Sequence, residues 1–202
     1  MDSPWTELDP RRRRGRWTPE KGVAQVQILD PIGTPRLELV PISAALAQAL
    51  ADGDRSRASI MLGAAVSTGF AADSAHVVQL AIALAAEPGA PEGGGRVIVI
   101  VERRGRRRAI GSIGFHGPLD ERGRLEIGCR VDPAHRGRGY AGEAMSAMFE
   151  WAASRLGITR FLVSVSSTGT PRPRLLAELE LSGRGPSHDQ ISELDAVLDG
   201  IR

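Results

Sequence analysis

The stretch VDPAHRGRGYAGEAM, residues 131–145, combines a strand-like start, a short loop with one histidine and two arginines, and an alanine-rich helical pattern. Gly137 and Gly139 allow backbone conformations and close approaches that a side chain would block. A helix that begins just after them points several unpaired N–H groups back into the loop, and its dipole favours a negative charge there. Together with Arg136 and Arg138, these features predict an anion-binding site.

Two common phosphate-binding motifs fit this loop poorly. A Walker loop needs Lys and then Ser or Thr after its second glycine, whereas Glu-Ala follows Gly142. The glycines of RGRGYAG do spell GxGxxG, but the dinucleotide fingerprint follows its strand directly and is followed about 20 residues later by an acidic residue. Here residues 132–136 lie between the strand and the first glycine, and Ser166 and Ser167 end the next strand.

The segments upstream of the loop predict antiparallel strands. Residues 97–101 and 109–115 are strand-like runs joined by the turn RRGRRR, which is typical of a hairpin. In residues 125–131 every second residue is apolar, so that Glu126 and Arg130 lie on the opposite face of the strand. These three segments predict an antiparallel meander that leads into the loop.

Further elements are predicted toward the N-terminus. PRLELVPI alternates Leu37 and Leu39 with polar residues and predicts an opening strand. Ser43 is a suitable N-cap for the helix that follows, and a less regular helical region covers about 56–66. Asp73 is an N-cap candidate for another helix. Helices therefore occupy the segment before the meander.

After the loop, the pattern changes to a period of 3.6 residues and predicts a helix that Gly157 ends. Its apolar stripe consists of Ala141, Ala144, Met145, Met148, Phe149, Ala152 and Leu156. FLVSV at 161–165 predicts a buried strand, and residues 173–181 are interpreted as a shorter helix after two prolines. ISELDAVL, near the C-terminus, is also interpreted as a helix.

Length and composition indicate one globular domain with an appendage. The chain has 202 residues, of which 42% are apolar, and this suffices for a hydrophobic core. Residues 1–33 contain RRRRGRW and no sustained apolar period, so they are interpreted as a flexible Arg-rich extension, with the domain at 34–202. A net charge of +2 argues against a polycation that coats nucleic acid.

Membrane and metal functions are not indicated. No apolar run approaches the roughly 20 residues that span a bilayer, and no apolar stretch follows the N-terminal arginines, so we expect a cytoplasmic protein without membrane contact. Cys129 is the single cysteine, which excludes an intramolecular disulfide and a cysteine-built metal site. We therefore expect no metal cofactor and a buried Cys129.

The loop also carries the pattern Arg136-x-x-Gly139-x-Ala141, preceded by an antiparallel strand and followed by a helix with aromatic residues. This arrangement resembles the acetyl-coenzyme A loop of the GNAT superfamily of N-acetyltransferases. EIGCRVDPAHRGRGYAGEA is most similar to the ribosomal-protein N-terminal (alanine) acetyltransferase group, and PRLELVPI is similar to that group's opening strand. The resemblance covers about 35–181.

The resemblance implies an α/β fold, namely a GNAT-like three-layer α/β/α arrangement with a mixed, largely antiparallel central sheet. It also implies a sheet that splays open between the strands 125–131 and 161–165. Acetyl-CoA would bind as a cosubstrate, with its pyrophosphate on the loop N–H groups and its pantetheine arm along the preceding strand end. The cofactor-binding residues implied in this way are Cys129, Arg130, Val131, Arg136, Gly137, Arg138, Gly139, Tyr140 and Ala141.

Transfer of an acetyl group to an amine needs a base for the amine, a polarised carbonyl and a thiolate that accepts a proton. Glu126 is the predicted catalytic base, because it lies on the polar face of its strand, and similar enzymes often use a carboxylate here. An exposed glutamate paired with an arginine is the alternative interpretation. His116, just past the strand 109–115, is the second candidate.

The sequence departs from the family pattern after residue 165. Relatives commonly have an Asn there and many have a Tyr that protonates the leaving thiolate, whereas this chain has Ser166, Ser167 and Thr168, and its only tyrosine is Tyr140 in the loop. Two functions therefore remain open. One is an N-acetyltransferase acting on a protein N-terminus or a small amine, as a monomer or homodimer. The other is a catalytically weak or inactive acyl-CoA-binding module that contacts RNA or a ribosome through its Arg-rich tail.

Overall fold

The computed structural model describes residues 30–72, 94–165, 174–181, 185–187, 189–192 and 194. The interpretations of the segment 1–29, of the helix after Asp73 and of Ser166 to Thr168 concern residues outside these ranges. Within them, no helix has the length and apolar character needed to cross a membrane.

Among the described residues, eight strands form one mixed sheet in the order β1-β2-β4-β5-β6-β7-β8, with β3 paired to β5. The strands are β1 (Ile32–Gly33), β2 (Leu37–Pro41), β3 (Ala65–Val66), β4 (Gly95–Val101), β5 (Arg107–His116), β6 (Leu125–Val131), β7 (Arg160–Val165) and β8 (Arg174–Glu180). The opening strand and the predicted meander β4-β5-β6 are confirmed, because β4 pairs antiparallel with β5 and β5 with β6.

Strands β6 and β7 run parallel. Their register runs from Leu125 opposite Phe161 to Gly128 opposite Ser164, one residue before the described part of β7 ends. The other edge of β6 pairs with β5 up to Val131. The opening between β6 and β7 that the family resemblance implied concerns residues after Val165, outside the described ranges, and stays a prediction.

Four helices have described bounds: α1 (Ala44–Ala51), α2 (Arg55–Leu62), α3 (Thr68–Ala72) and α4 (Tyr140–Leu156). Ser43 caps α1 as expected, since its hydroxyl accepts a hydrogen bond from the N–H of Leu46. The helix expected over about 56–66 is shorter, because Gly63 ends it in the left-handed conformation and β3 follows. Helix α4 agrees with the predicted stripe and ends at Gly157.

The sheet lies between two helical layers. Helix α4 covers one face, and the main residues of that core are Ile113, Phe115, Leu125, Ile127, Met145, Met148, Phe149, Phe161 and Val163. The other core joins α1, α2 and α3 to β4 and β5 through Leu46, Leu50, Leu62, Phe70, Val97, Val99 and Ala109. These three layers confirm the predicted α/β/α fold.

The interpretation of residues 173–181 as a helix was wrong. Residues 174–180 form β8, which pairs antiparallel with β7. Leu, Ala and Glu favour a helix by intrinsic propensity. From Ala177 onward, however, apolar and acidic residues alternate, and Leu179 and Leu181 pack against the core while Glu178 and Glu180 stay exposed. Pairing with β7 and burial of one face therefore outweigh the local preference.

Candidate active site

The loop between β6 and α4 presents a row of backbone donors. Gly137 and Gly139 have φ angles of 68° and 71°, which glycine adopts at little cost. Gly139 is the N-cap of α4, and no side chain caps the helix. In the described part of the chain, the N–H groups of residues 137–142 have no hydrogen-bond acceptor. These consecutive donors at a helix N-terminus can hold an anion.

The strand end of the loop is held by Asp132 and Arg136. One Asp132 carboxylate oxygen accepts from the N–H of Ala134 at 2.9 Å, and the other accepts from the hydroxyl of Ser67 at 3.1 Å. Arg136 Nε donates to the carbonyl of Val131 at 2.9 Å. Sequence reasoning missed Asp132 and Ser67, although an aspartate that directly follows a strand and precedes proline is a typical turn-capping residue.

The other residues assigned to cofactor binding surround this loop. The thiol of Cys129 is buried on the α4 face, and burial raises its pKa to about 12. Arg130 is half-buried on the opposite face, in register with Ser112. Arg138 is exposed and Ala141 is half-buried in the first turn of α4. The structure therefore brings these residues to one end of β6.

Tyr140 is packed rather than free. Its side chain is buried, and the guanidinium of Arg36 lies over its ring at 4.7 Å from the centroid. The phenol belongs to the first turn of α4, next to the anion-binding N–H groups. The ring of Tyr140 is therefore part of the packing at the start of α4.

Glu126 and His116 lie on the sheet face opposite α4. They occupy paired positions on β6 and β5, and Leu162 of β7 is the other neighbour of Glu126. The ring of His116 extends over Gly128, because a Cβ built on Gly128 would overlap His116 Nε2. Gly128 lies opposite Ser164 of β7. His116 therefore reaches the β6 residue of the last described pair between these two strands.

The environment of His116 keeps its imidazole in a proton-accepting form. Burial lowers the pKa of His116 below 6.5, and the charge of Glu126 offsets only part of this effect. At neutral pH the ring is therefore mostly neutral and can accept a proton. In the described residues, no cluster of three or more His, Cys, Asp or Glu side chains suited to a metal ion is present.

Comparison with known proteins finds several acetyltransferases. The chain is 33% identical over 85 residues to "Uncharacterized N-acetyltransferase YoaA" of Bacillus subtilis (strain 168), which covers 42% of this chain and 48% of that protein. It is 32% identical over 90 residues to "Uncharacterized N-acetyltransferase p20" of Bacillus licheniformis, covering 45% and 51%. The chain thus spans about half the length of these curated relatives.

Solved structures with a similar arrangement were also found. The crystal structure of the acetyltransferase from Agrobacterium tumefaciens str. C58 has 28% identity and a TM-score of 0.41, covering 68% of this chain and 75% of that one. "RimL- Ribosomal L7/L12 alpha-N-protein acetyltransferase" in its apo form has 18% identity and a TM-score of 0.41, covering 67% and 71%. At these scores the similarities establish neither a substrate nor a mechanism.

A family model gives the decisive match. The model described as "Acetyltransferase (GNAT) domain" matches residues 36–179. This range is well over half of the chain and includes β2, strands β6 and β7, the anion-binding loop and most of β8. The chain belongs to the GNAT acetyltransferase family.

Proposed function

We propose that this protein transfers an acetyl group from acetyl-CoA to a primary amine, either a protein N-terminus or a small molecule. The observation that carries the proposal is the row of unpaired N–H groups from residue 137 to residue 142, just after the end of β6. We also propose that β6 and β7 separate after Gly128, so that an anion binds to these N–H groups while an extended arm attached to it lies along the end of β6. Family membership supports the same ligand.

The residues present fit such a ligand. A pyrophosphate needs several convergent donors without side chains in its path, and no atom lies within 4 Å of a Cβ built on Gly137. The arm would lie along the end of β6. There the N–H of Asp132 donates to the carbonyl of Ile110 on β5 at 2.7 Å, so the N–H of Val131 points to the open edge by strand alternation.

The proposed chemistry uses the face that carries Glu126 and His116. The amine nitrogen forms a bond to the acetyl carbon while the carbon–sulfur bond breaks, and the amine must lose a proton. Glu126 accepts that proton directly or through the neutral imidazole of His116, which lies closer to the opening. The coenzyme A thiolate takes its proton from water.

The alternative function, a binding module that contacts RNA through arginines, receives little support from the described arginines. In the hairpin turn between β4 and β5 and at the start of β5, Arg106 and Arg108 both pair with Glu102, and Arg107 pairs with Glu38. These acidic partners neutralise part of the turn's positive charge. The Arg-rich tail itself lies outside the described residues.

Calorimetry with acetyl-CoA and a screen for thiol release test the proposal. The screen should include N-terminal peptides and small amines, with hydrolysis in the absence of any acceptor as the background. We expect acetyl-CoA binding and acceptor-dependent thiol release that Glu126→Gln strongly reduces. Binding without release above background for any acceptor would favour the binding module instead, and absence of binding would refute both functions.

A further inference from the structure

A carboxylate in the first turn of α4 is held by the turn between β1 and β2. Glu143 Oε1 accepts from the Thr34 hydroxyl at 2.5 Å and from the Arg36 N–H at 2.9 Å. Arg36 Nε donates to Glu143 Oε2 at 2.6 Å. Although burial raises the pKa of Glu143, these hydrogen bonds outweigh it and keep the pKa below 4.5. The carboxylate is therefore ionised and fully engaged at neutral pH.

The same arginine also reaches the anion-binding loop. Arg36 Nη1 donates to the carbonyl of Arg138 at 2.9 Å, and the guanidinium covers the ring of Tyr140. Both contacted residues contribute N–H groups to the row of unpaired donors. A peptide plane whose carbonyl is held cannot rotate freely, so the bond to Arg138 also fixes the direction of the next N–H, that of Gly139.

The ion pair between Arg36 and Glu143 offsets the repulsion that Glu143 would exert on an anion at the start of α4. A negative charge in the first turn stabilises a helix through its dipole, but it repels any other anion that binds to the same N–H groups. Arg36 places a positive charge 2.6 Å from Glu143, which leaves the pair neutral overall. The helix start therefore keeps its attraction for an anionic ligand.

We infer that Arg36 and Glu143 form a clamp that positions the loop N–H groups for the pyrophosphate of acetyl-CoA. This inference rests on the proposed function and deepens it: Arg36 is a positioning residue that acts on cofactor affinity and takes no part in acetyl transfer. Its effect is thus specific to ligands that carry the pyrophosphate. A short thioester such as acetyl-pantetheine, which has the reactive end alone, does not use the clamp.

Two ligands and four variants test the clamp. Calorimetry of Arg36→Gln should show affinity for acetyl-CoA reduced about tenfold or more, since several charged hydrogen bonds are lost. The kcat/KM for acetyl-pantetheine should stay at the wild-type value. Arg36→Lys should recover part of the affinity, because it restores the charge without the planar fork. Glu143→Ala should weaken acetyl-CoA binding as well, and the double variant should be no weaker than the worse single variant.

Arg160→Gln is the matched control. It breaks an ion pair with Glu180 at the start of β7, and the exposed fraction of the Arg160 side chain is 52% against 48% for Arg36. The control should leave acetyl-CoA affinity unchanged. The clamp is refuted if Arg36→Gln and Glu143→Ala bind acetyl-CoA like the wild type, or if they lose the reactions with both thioesters equally. A wild type that binds no acetyl-CoA would instead refute the proposed function.

Discussion

His116 and Glu126 stand opposite each other on neighbouring strands, and the His116 ring leans from its own position across Gly128, toward the end of β6 that leads into the anion-binding loop. In the proposed reaction, an amine proton that His116 takes up passes to Glu126 on the paired strand.

Glu126→Gln should lower kcat by about a hundredfold or more, because the amide keeps the shape of the side chain and cannot accept the amine proton. Affinity for acetyl-CoA should not change, since Glu126 lies outside the anion-binding loop. Steady-state kinetics on a confirmed acceptor and calorimetry measure the two effects. Glu121→Gln, an exposed position in the β5-β6 turn, is the control and should behave like the wild type. Full activity of Glu126→Gln would place the base elsewhere.

The burial of His116 predicts how stability depends on pH. Its pKa is lower in the folded state than the 6.5 of a free histidine, so the unfolded chain binds the proton more readily. The contribution of His116 to the free energy of unfolding is therefore complete above pH 6.5 and decreases as the pH falls through the folded-state pKa. Between about pH 8 and about pH 6, the free energy of unfolding measured in urea should fall more for the wild type than for His116→Gln. An equal fall in both proteins would contradict a lowered pKa of His116.

Gly128 and His116 should be energetically coupled. The three nearest atoms that a Cβ at position 128 would meet all belong to the His116 ring. Gly128→Ala should therefore destabilise the wild type and lower its activity by displacing the imidazole, whereas in a His116→Ala background the same change should cost little. A double-mutant cycle in urea measures the coupling energy, expected at about 0.5–3 kcal/mol for residues in contact. Additive effects would show that the ring lies elsewhere.

Gly137→Ala should reduce the free energy of acetyl-CoA binding more than it reduces the free energy of unfolding. The left-handed backbone costs a residue with a Cβ about 1–2 kcal/mol, and the methyl group would project into the space assigned to the pyrophosphate. Gly123→Ala is a close control, since Gly123 has a φ of 71° and no atom within 4 Å of its Cβ position. Both variants should lose similar thermal stability.

In calorimetry, only the loop variants should lose affinity. Gly139→Val should bind acetyl-CoA more weakly still, because Gly139 is the N-cap of α4 and its side chain would lie among the donor groups. If both Gly137→Ala and Gly139→Val bound acetyl-CoA with wild-type affinity, the pyrophosphate would not bind in this loop.

Features that depend on local pattern could be predicted from the sequence. The alternation in β6, the helical stripe of α4 and the glycines of the loop place Glu126 and the anion-binding loop in neighbouring elements, which the structure shows. β8 was not predicted, because its residue types favour a helix and only the pairing with β7 decides its conformation.

Contacts between segments that are distant in the sequence could not be predicted either. Arg36 precedes Glu143 by 107 positions, and nothing in either segment indicates that the turn between β1 and β2 reaches the start of α4. The role of Asp132 depends in the same way on the placement of Ser67. The position of His116 over Gly128 follows from strand register, which turn geometry and packing determine together.

The end of strand β6 can report ligand occupancy. By strand alternation the N–H of Val131 faces away from β5, whereas the residues from Leu125 to Gly128 are paired on both sides. In deuterium exchange, we expect the Val131 amide to be replaced quickly in the free protein, while amides in the doubly paired part of β6 exchange only by larger opening. A ligand that lies along this edge as an additional strand would slow the exchange of Val131 selectively, so a single amide would distinguish the empty from the loaded protein without any measurement of turnover.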